Sequence, residues 1–112
     1  MDILFIADPL AHFKIYKDST YAMMAEAARR GHVIYTCEPK HLAWVSARVE
    51  ATVRRVDIVG DTADLRRHPW HESGPHEHRK MTSFGAIIMR KDPPFDMEYV
   101  TSTWLLELAE RE

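Results

Sequence analysis

The chain has 112 residues, 46% of them hydrophobic and 29% charged, with a formal net charge of −2. That length fits one domain with a single core that needs no staples, and the charge balance gives no reason to expect nucleic acid or an anionic membrane as a partner. No apolar run nears the roughly 20 residues of a membrane-spanning helix. The N-terminus enters a strand-like run at once rather than a signal peptide, and a single cysteine, Cys37, excludes an internal disulfide and fits a reducing cytoplasm.

Ile3–Ala7, ILFIA, is continuously apolar, as expected of a strand buried on both faces of a parallel sheet. Asp8-Pro9 ends it, and a loop over residues 10–17 carries His12, Lys14, Tyr16 and Lys17. A helix is expected from Asp18 or Ser19, both good N-caps, with Met23, Met24, Ala27 and Ala28 on its apolar side. Arg29 and Arg30 suit the negative end of the helix dipole, and Gly31 stands where a left-handed stop belongs. Val33–Cys37 is the next strand, closed by Glu38-Pro39.

Residues 42–59 space Val45, Val49, Val53, Val56 and Val59 among arginines. This pattern reads as two short strands at the sheet edge, or alternatively as a helix over residues 41–51. Residues 60–83 are polar, with glycines, prolines and His68, His71, His76 and His78, and read as a loop with a short helix near residues 61–67. Zinc sites favour ordered elements and a closed ligand set; Pro69, Gly74 and Pro75 break up these histidines and no cysteine is near, so no metal site is expected. Gly85–Met89 is the third apolar strand, followed by MRKDPPFD, Met89–Asp96. Its two prolines hold the backbone extended. Asp96 then caps a helix with Met97, Val100, Trp104, Leu105 and Leu108 on its apolar side.

A doubly wound α/β sheet sets the first strand between the second and the strand near residues 86–89. Chain order reverses there, so the loops Asp8–Asp18 and Arg90–Asp96 flank a crevice at the carboxyl ends of the strands, where such sheets bind ligands. Both loops are charged and both lead into helix N-termini, which favour anions. The pattern points to a small-molecule site with no phosphate loop, dinucleotide fingerprint or HExxH motif.

Two segments, ILFIADPLAHFKIYKDSTYAMMAEAARRGH and MRKDPPFDMEYVTSTWLLELAE, with VIYTCEP more loosely, resemble the N-terminal domain of prokaryotic glutathione synthetase, an ATP-grasp ligase. The resemblance implies that residues 1–112 form one substrate-binding pre-ATP-grasp domain: a Rossmann-like, mostly parallel sheet with flanking helices and a short antiparallel edge. It implies a parent enzyme that joins γ-glutamylcysteine to glycine, with ATP phosphorylating the cysteinyl carboxylate. The nucleotide-binding half, with ATP and magnesium, is expected outside these residues. This chain by itself is expected to hold no cofactor, supply no catalytic group and show no ligase activity. Expected partners are γ-glutamylcysteine or glutathione, an ATP-grasp domain in cis or in trans, and a second copy in a homo-oligomer. The alternative is a stand-alone binding or assembly module that pairs with a separate ATP-grasp protein.

Within that frame Arg90 is the leading substrate-binding residue, because its fork suits a carboxylate and the dipeptide has two. A structural ion pair with a loop aspartate is the competing role. Lys17, Asp8 and Lys91 stand at the same mouth. Asp18 and Ser19 either bind the amino end of the substrate or simply cap the helix. Asp92 and Asp96 are better suited to a turn and a helix cap. Cys37 and the methionines Met23, Met24 and Met89 are expected to be packing residues.

Overall fold

The computed structural model describes residues 1–12, 19–58, 71–90 and 97–112; of His12, Met97, Glu98 and Tyr99 only the backbone is described. Six strands form one sheet: β1 (Asp2–Ala7), β2 (Val33–Cys37), β3 (Leu42–Val45), β4 (Arg48–Ile58), β5 (His71–Lys80) and β6 (Ala86–Arg90). Two helices, α1 (Ser19–Arg29) and α2 (Met97–Glu110), complete the described elements, with short 3-10 turns at Leu10–His12, Pro39–His41 and Met81–Ser83. The domain is mixed α/β, as the sequence implies.

β1 pairs in parallel with β2 on one side, Ile3 opposite Ile34, and with β6 on the other, Ile3 opposite Ala86. Its side chains alternate between two cores, as period 2 demands. Ile3, Phe5 and Ala7 pack with Tyr21 and Met24 of α1, and Ile34 and Val56 join them. Leu4 and Ile6 face the other way, into a cluster with Tyr35, Val49, Ala51, Val53, Met81 and Phe84 against which Leu105, Leu106, Leu108 and Ala109 of α2 pack. The helices therefore cover opposite faces of the parallel strands.

α1 stops where expected. Gly31 adopts φ +90°, its N–H reaches the Ala28 carbonyl, and the His32 N–H reaches the Ala27 carbonyl. These bonds satisfy late carbonyls of the helix in the pattern that needs a left-handed residue, which glycine adopts without a Cβ penalty. Met23, expected on the apolar side, is exposed, and Tyr21 is buried instead; at 100° per residue Tyr21, Met24 and Ala28 share a face that Met23 leaves. The same geometry corrects Trp104. It is 59% exposed, on the opposite side of α2 from buried Ser102 and the inward Leu105, Leu106 and Ala109.

The antiparallel part is larger than the sequence suggests. β4 runs for 11 residues rather than as a short edge strand. Along one side it pairs first with β3, Leu42 opposite Ala51, and then with β2, Ile34 opposite Val56; along the other it pairs with β5 from Glu50 to Ile58. The helical alternative over residues 41–51 does not occur. Residues 71–80, expected as loop, are strand β5. Its composition is that of an edge: charges and histidines suit a strand with an open side, and Gly74-Pro75 falls at the register shift opposite Arg54 and Val56, a place where a ladder tolerates proline. The helix expected near residues 61–67 lies outside the described residues.

Arg79 of β5 anchors this edge to the parallel half. Its Nη1 donates to Asp2 Oδ2 at 3.0 Å and its Nη2 to the Ser83 carbonyl at 3.1 Å. Its guanidinium lies 4.6 Å from the Tyr35 ring centroid and 4.3 Å from that of Phe84. Those two rings meet edge-on at 5.5 Å. Cation–π contact and a half-buried ion pair here bind three strands at the amino end of β1.

The β3–β4 hairpin turns through two residues, Ser46 and Ala47, both left-handed at φ 49° and 63°. Such a turn matches the strand twist but favours an asparagine followed by a glycine, since other residues in this region cost about 1–2 kcal/mol each. The double substitution Ser46→Asn with Ala47→Gly is expected to stabilise the domain by about 1–2 kcal/mol, raising Tm by roughly 5–10 °C in a thermal melt. An unchanged or lower Tm would count against this turn.

Candidate functional site

Chain order reverses at β1, so the parallel strands β2, β1 and β6 open a crevice at their carboxyl ends. Arg90 is the last residue of β6, opposite Ala7. With Ala86 and Ile88 it shares the face covered by α1. Its Nη2 donates to Ser19 Oγ at 2.6 Å, and its Nε donates to Thr20 Oγ1 at 3.3 Å. The structure thus joins two of the residues singled out in the sequence, tying the end of β6 to the first turn of α1. Among the described residues no carboxylate lies within ion-pair distance of Arg90, and none engages its Nη1. Lys17, Asp18, Lys91, Asp92 and Asp96 lie outside the described residues.

Asp8 follows β1 and lines a neighbouring cleft of about 300 Å³ on the α1 side of the sheet. Pro9, Leu10 and Ala11 form one wall, and Thr36, Glu38 and His41 come from the end of β2 and the turn after it. The floor is the antiparallel extension: Thr52 and Arg54 of β4 with His71, Ser73 and His76 of β5. Arg54 is half-buried, and its Nε donates to the Gly74 carbonyl at 2.7 Å, so the β5 irregularity fixes its guanidinium. The Glu38 N–H donates to His41 Nδ1 at 3.0 Å. That bond requires Nδ1 to be unprotonated, so the neutral ring carries its proton on Nε2. Beside the cleft, Thr52 Oγ1 and His78 Nδ1 are 2.9 Å apart.

Arg54, His41, His71 and His76 do not emerge as site residues from the sequence. The available signal is alternation in β4. Val49, Ala51 and Val53 face the α2-side core, so Thr52 and Arg54 must point to the other face. Without knowing that β5 is a strand, nothing sets its histidines beside them. Among the described residues no group of three or more His, Cys, Asp or Glu is arranged to hold a metal ion, and no described helix is long and apolar enough to cross a membrane.

Cys37 ends β2 at the cleft wall and is buried. Burial, with a smaller contribution from the Glu38 carboxylate, pushes its thiol up to about 12. A thiol so far from ionising is a poor nucleophile.

These features define a doubly wound α/β domain with a polar, concave site at the carboxyl ends of its parallel strands. Over residues 1–112 the chain matches the family model for the prokaryotic glutathione synthetase N-terminal domain, and it belongs to that family. All of the chain aligns, at 55% identity, with a glutathione synthetase of Ralstonia nicotianae, covering 33% of that protein. With glutathione synthetases of Nitrosomonas europaea and Neisseria meningitidis serogroup B it is 47% and 43% identical, covering 34% and 35% of their lengths. The chain spans about a third of the relatives it matches.

In the folded protein Cys37 is expected to resist iodoacetamide at about pH 8, below its raised pKa, and to react once urea unfolds the chain. Native-state alkylation at the rate of a free thiol, read by mass spectrometry, would contradict its burial.

Proposed function

We propose that this chain is the substrate-binding N-terminal domain of a glutathione synthetase-like ligase, which converts ATP, γ-glutamylcysteine and glycine to glutathione, ADP and phosphate. The observation that supports this reading best is the meeting of Arg90 with Ser19 and Thr20 at the switch point, in a chain whose relatives are glutathione synthetases. Arg90 holds a carboxylate of the dipeptide. Its contacts through Nε to Thr20 and through Nη2 to Ser19 orient the guanidinium before substrate arrives and leave Nη1 and the second Nη2 hydrogen for the carboxylate. Ser19 opens α1, where the helix end favours a negative group. Lys17, Asp18, Asp8 and Lys91 supply further contacts to the dipeptide.

The domain positions the dipeptide rather than breaking bonds. ATP and magnesium bind an ATP-grasp domain, in cis or in trans, and residues 1–112 alone bind neither and have no ligase activity. The working location is the cytoplasm, where γ-glutamylcysteine stays reduced, and a homo-oligomer is compatible with this role.

In a ligase carrying this domain, Arg90→Ala is expected to raise the KM for γ-glutamylcysteine with little change in the KM for ATP. The loss is about 2–5 kcal/mol, as for one partner of a desolvated charge pair. Arg90→Lys should recover only part of it, because an ammonium cannot make the two-pronged contact. Melting temperature must be read on the same variants, since Arg90 also ties β6 to α1. An unaltered dipeptide KM in a folded Arg90→Ala protein would sink the binding role.

A further inference from the structure

A guanidinium offers two forked edges, one through Nε and Nη2 and one through Nη1 and Nη2, and each is spaced to meet a pair of oxygens. In Arg90 the first edge is met from within the domain. Its Nε donates to Thr20 Oγ1 at 3.3 Å and its Nη2 to Ser19 Oγ at 2.6 Å. Two hydroxyls from consecutive residues of α1 thus stand where the two oxygens of one carboxylate would stand.

The two hydroxyls are not equivalent. Ser19 is the first residue of α1 and is exposed, so water competes for its contact. Thr20 is only 6% exposed, and its longer contact is the drier of the two. A β-branched side chain is stiff at χ1, and the next turn of α1 is pinned to the sheet by Tyr21 and Met24. Arg90 in turn lies beside Ala7, which is fully buried in the same cluster. The fold therefore sets the position of Thr20 Oγ1, and its burial keeps Thr20 from touching a ligand at the crevice mouth.

Charge gives the arrangement its second property. A carboxylate gripping the same edge would hold the guanidinium as well but would offset its positive charge. Serine and threonine hydroxyls orient it and carry no charge of their own. We propose that Ser19 and Thr20 form a neutral clamp on the Nε–Nη2 edge of Arg90, with Thr20 as a positioning residue that sets the plane in which the opposite edge meets the dipeptide carboxylate. This role for Thr20 rests on the reading of Arg90 as the carboxylate-binding group and acts only through Arg90.

The first test needs no substitution. In NMR of the 112-residue protein, the Arg90 Nε–H is expected to exchange with water about tenfold more slowly than that of exposed Arg48. Thr20→Ser should keep that protection and Thr20→Val should abolish it. Equal exchange at Arg90 and Arg48 in the wild-type protein overturns the clamp. The second test is kinetic, in a ligase carrying this domain. Thr20→Val is expected to raise the KM for γ-glutamylcysteine about tenfold, the worth of a hydrogen bond to a charged group, with kcat and the KM for ATP little changed. Thr20→Ser should restore the wild-type KM. Ser19→Asp, which suits the first turn of a helix, should leave Tm unchanged or higher and still raise the dipeptide KM about tenfold. A purely structural tie predicts instead a lower Tm for Thr20→Val with no change of KM in the folded protein, and no loss for Ser19→Asp. Either of those results overturns the clamp, and so does a Thr20→Ser variant as impaired as Thr20→Val. Arg90→Ala, measured alongside, separates the two readings. A raised dipeptide KM there with a silent Thr20→Val leaves the dipeptide reading standing and removes Thr20 from it. An unaltered dipeptide KM in folded Arg90→Ala removes both.

Discussion

Everything in this domain depends on burying β1 on both faces. Leu4, Phe5, Ile6 and Ala7 are at most 1% exposed. A strand apolar at every position cannot face water on either side, so it needs a parallel neighbour at each edge and a covering layer above and below. α1 covers Ile3 and Phe5, and α2 packs on the cluster that holds Leu4 and Ile6. α1 follows β1 and α2 follows its neighbour β6 on the opposite face, so a crevice between the carboxyl ends of these two strands follows from topology. The crevice is in this sense a by-product of how the central strand is kept dry.

The antiparallel extension gives the crevice its second half. β4 serves two purposes through simple alternation. Val49, Ala51 and Val53 complete the core on the α2 side, and Thr52 and Arg54 form the cleft floor on the other. β5 widens that floor, and Arg79 holds β5 in place from the opposite face by reaching Asp2, Tyr35 and Phe84. The residues that stabilise the extension and those that line the cleft thus share strands without sharing a face. Substitutions in the cleft should therefore be separable from the fold.

The parallel half was legible because its signals are local. ILFIA, VIYTC and the run before Arg90 are apolar enough to mark buried strands, and the Gly31 stop and the start of α1 carry their own capping chemistry. β5 was not legible. HESGPHEHRK has neither apolar periodicity nor unbroken β propensity, and it becomes a strand only because β4 offers a free edge with a place for Gly74-Pro75. Tertiary pairing outweighed composition there. The same gap hid half of the site: Arg90, Ser19 and Asp8 stand out as charged or capping residues beside strand ends, whereas Arg54 and His76 become neighbours only through the β4–β5 ladder. Trp104 misled because its size suggests burial, while the α2 face is set by Leu105, Leu106 and Ala109.

Amide hydrogen exchange tests the dependence on β1 most directly. If β1 is the doubly covered centre, the amides of Ile3–Ala7 exchange only when the whole domain unfolds. Those of edge strands β5 and β6 exchange faster, through local opening. Exchange of Leu4, Phe5 and Ile6 on the same timescale as His76 and Glu77 of β5 would contradict a fold organised around β1.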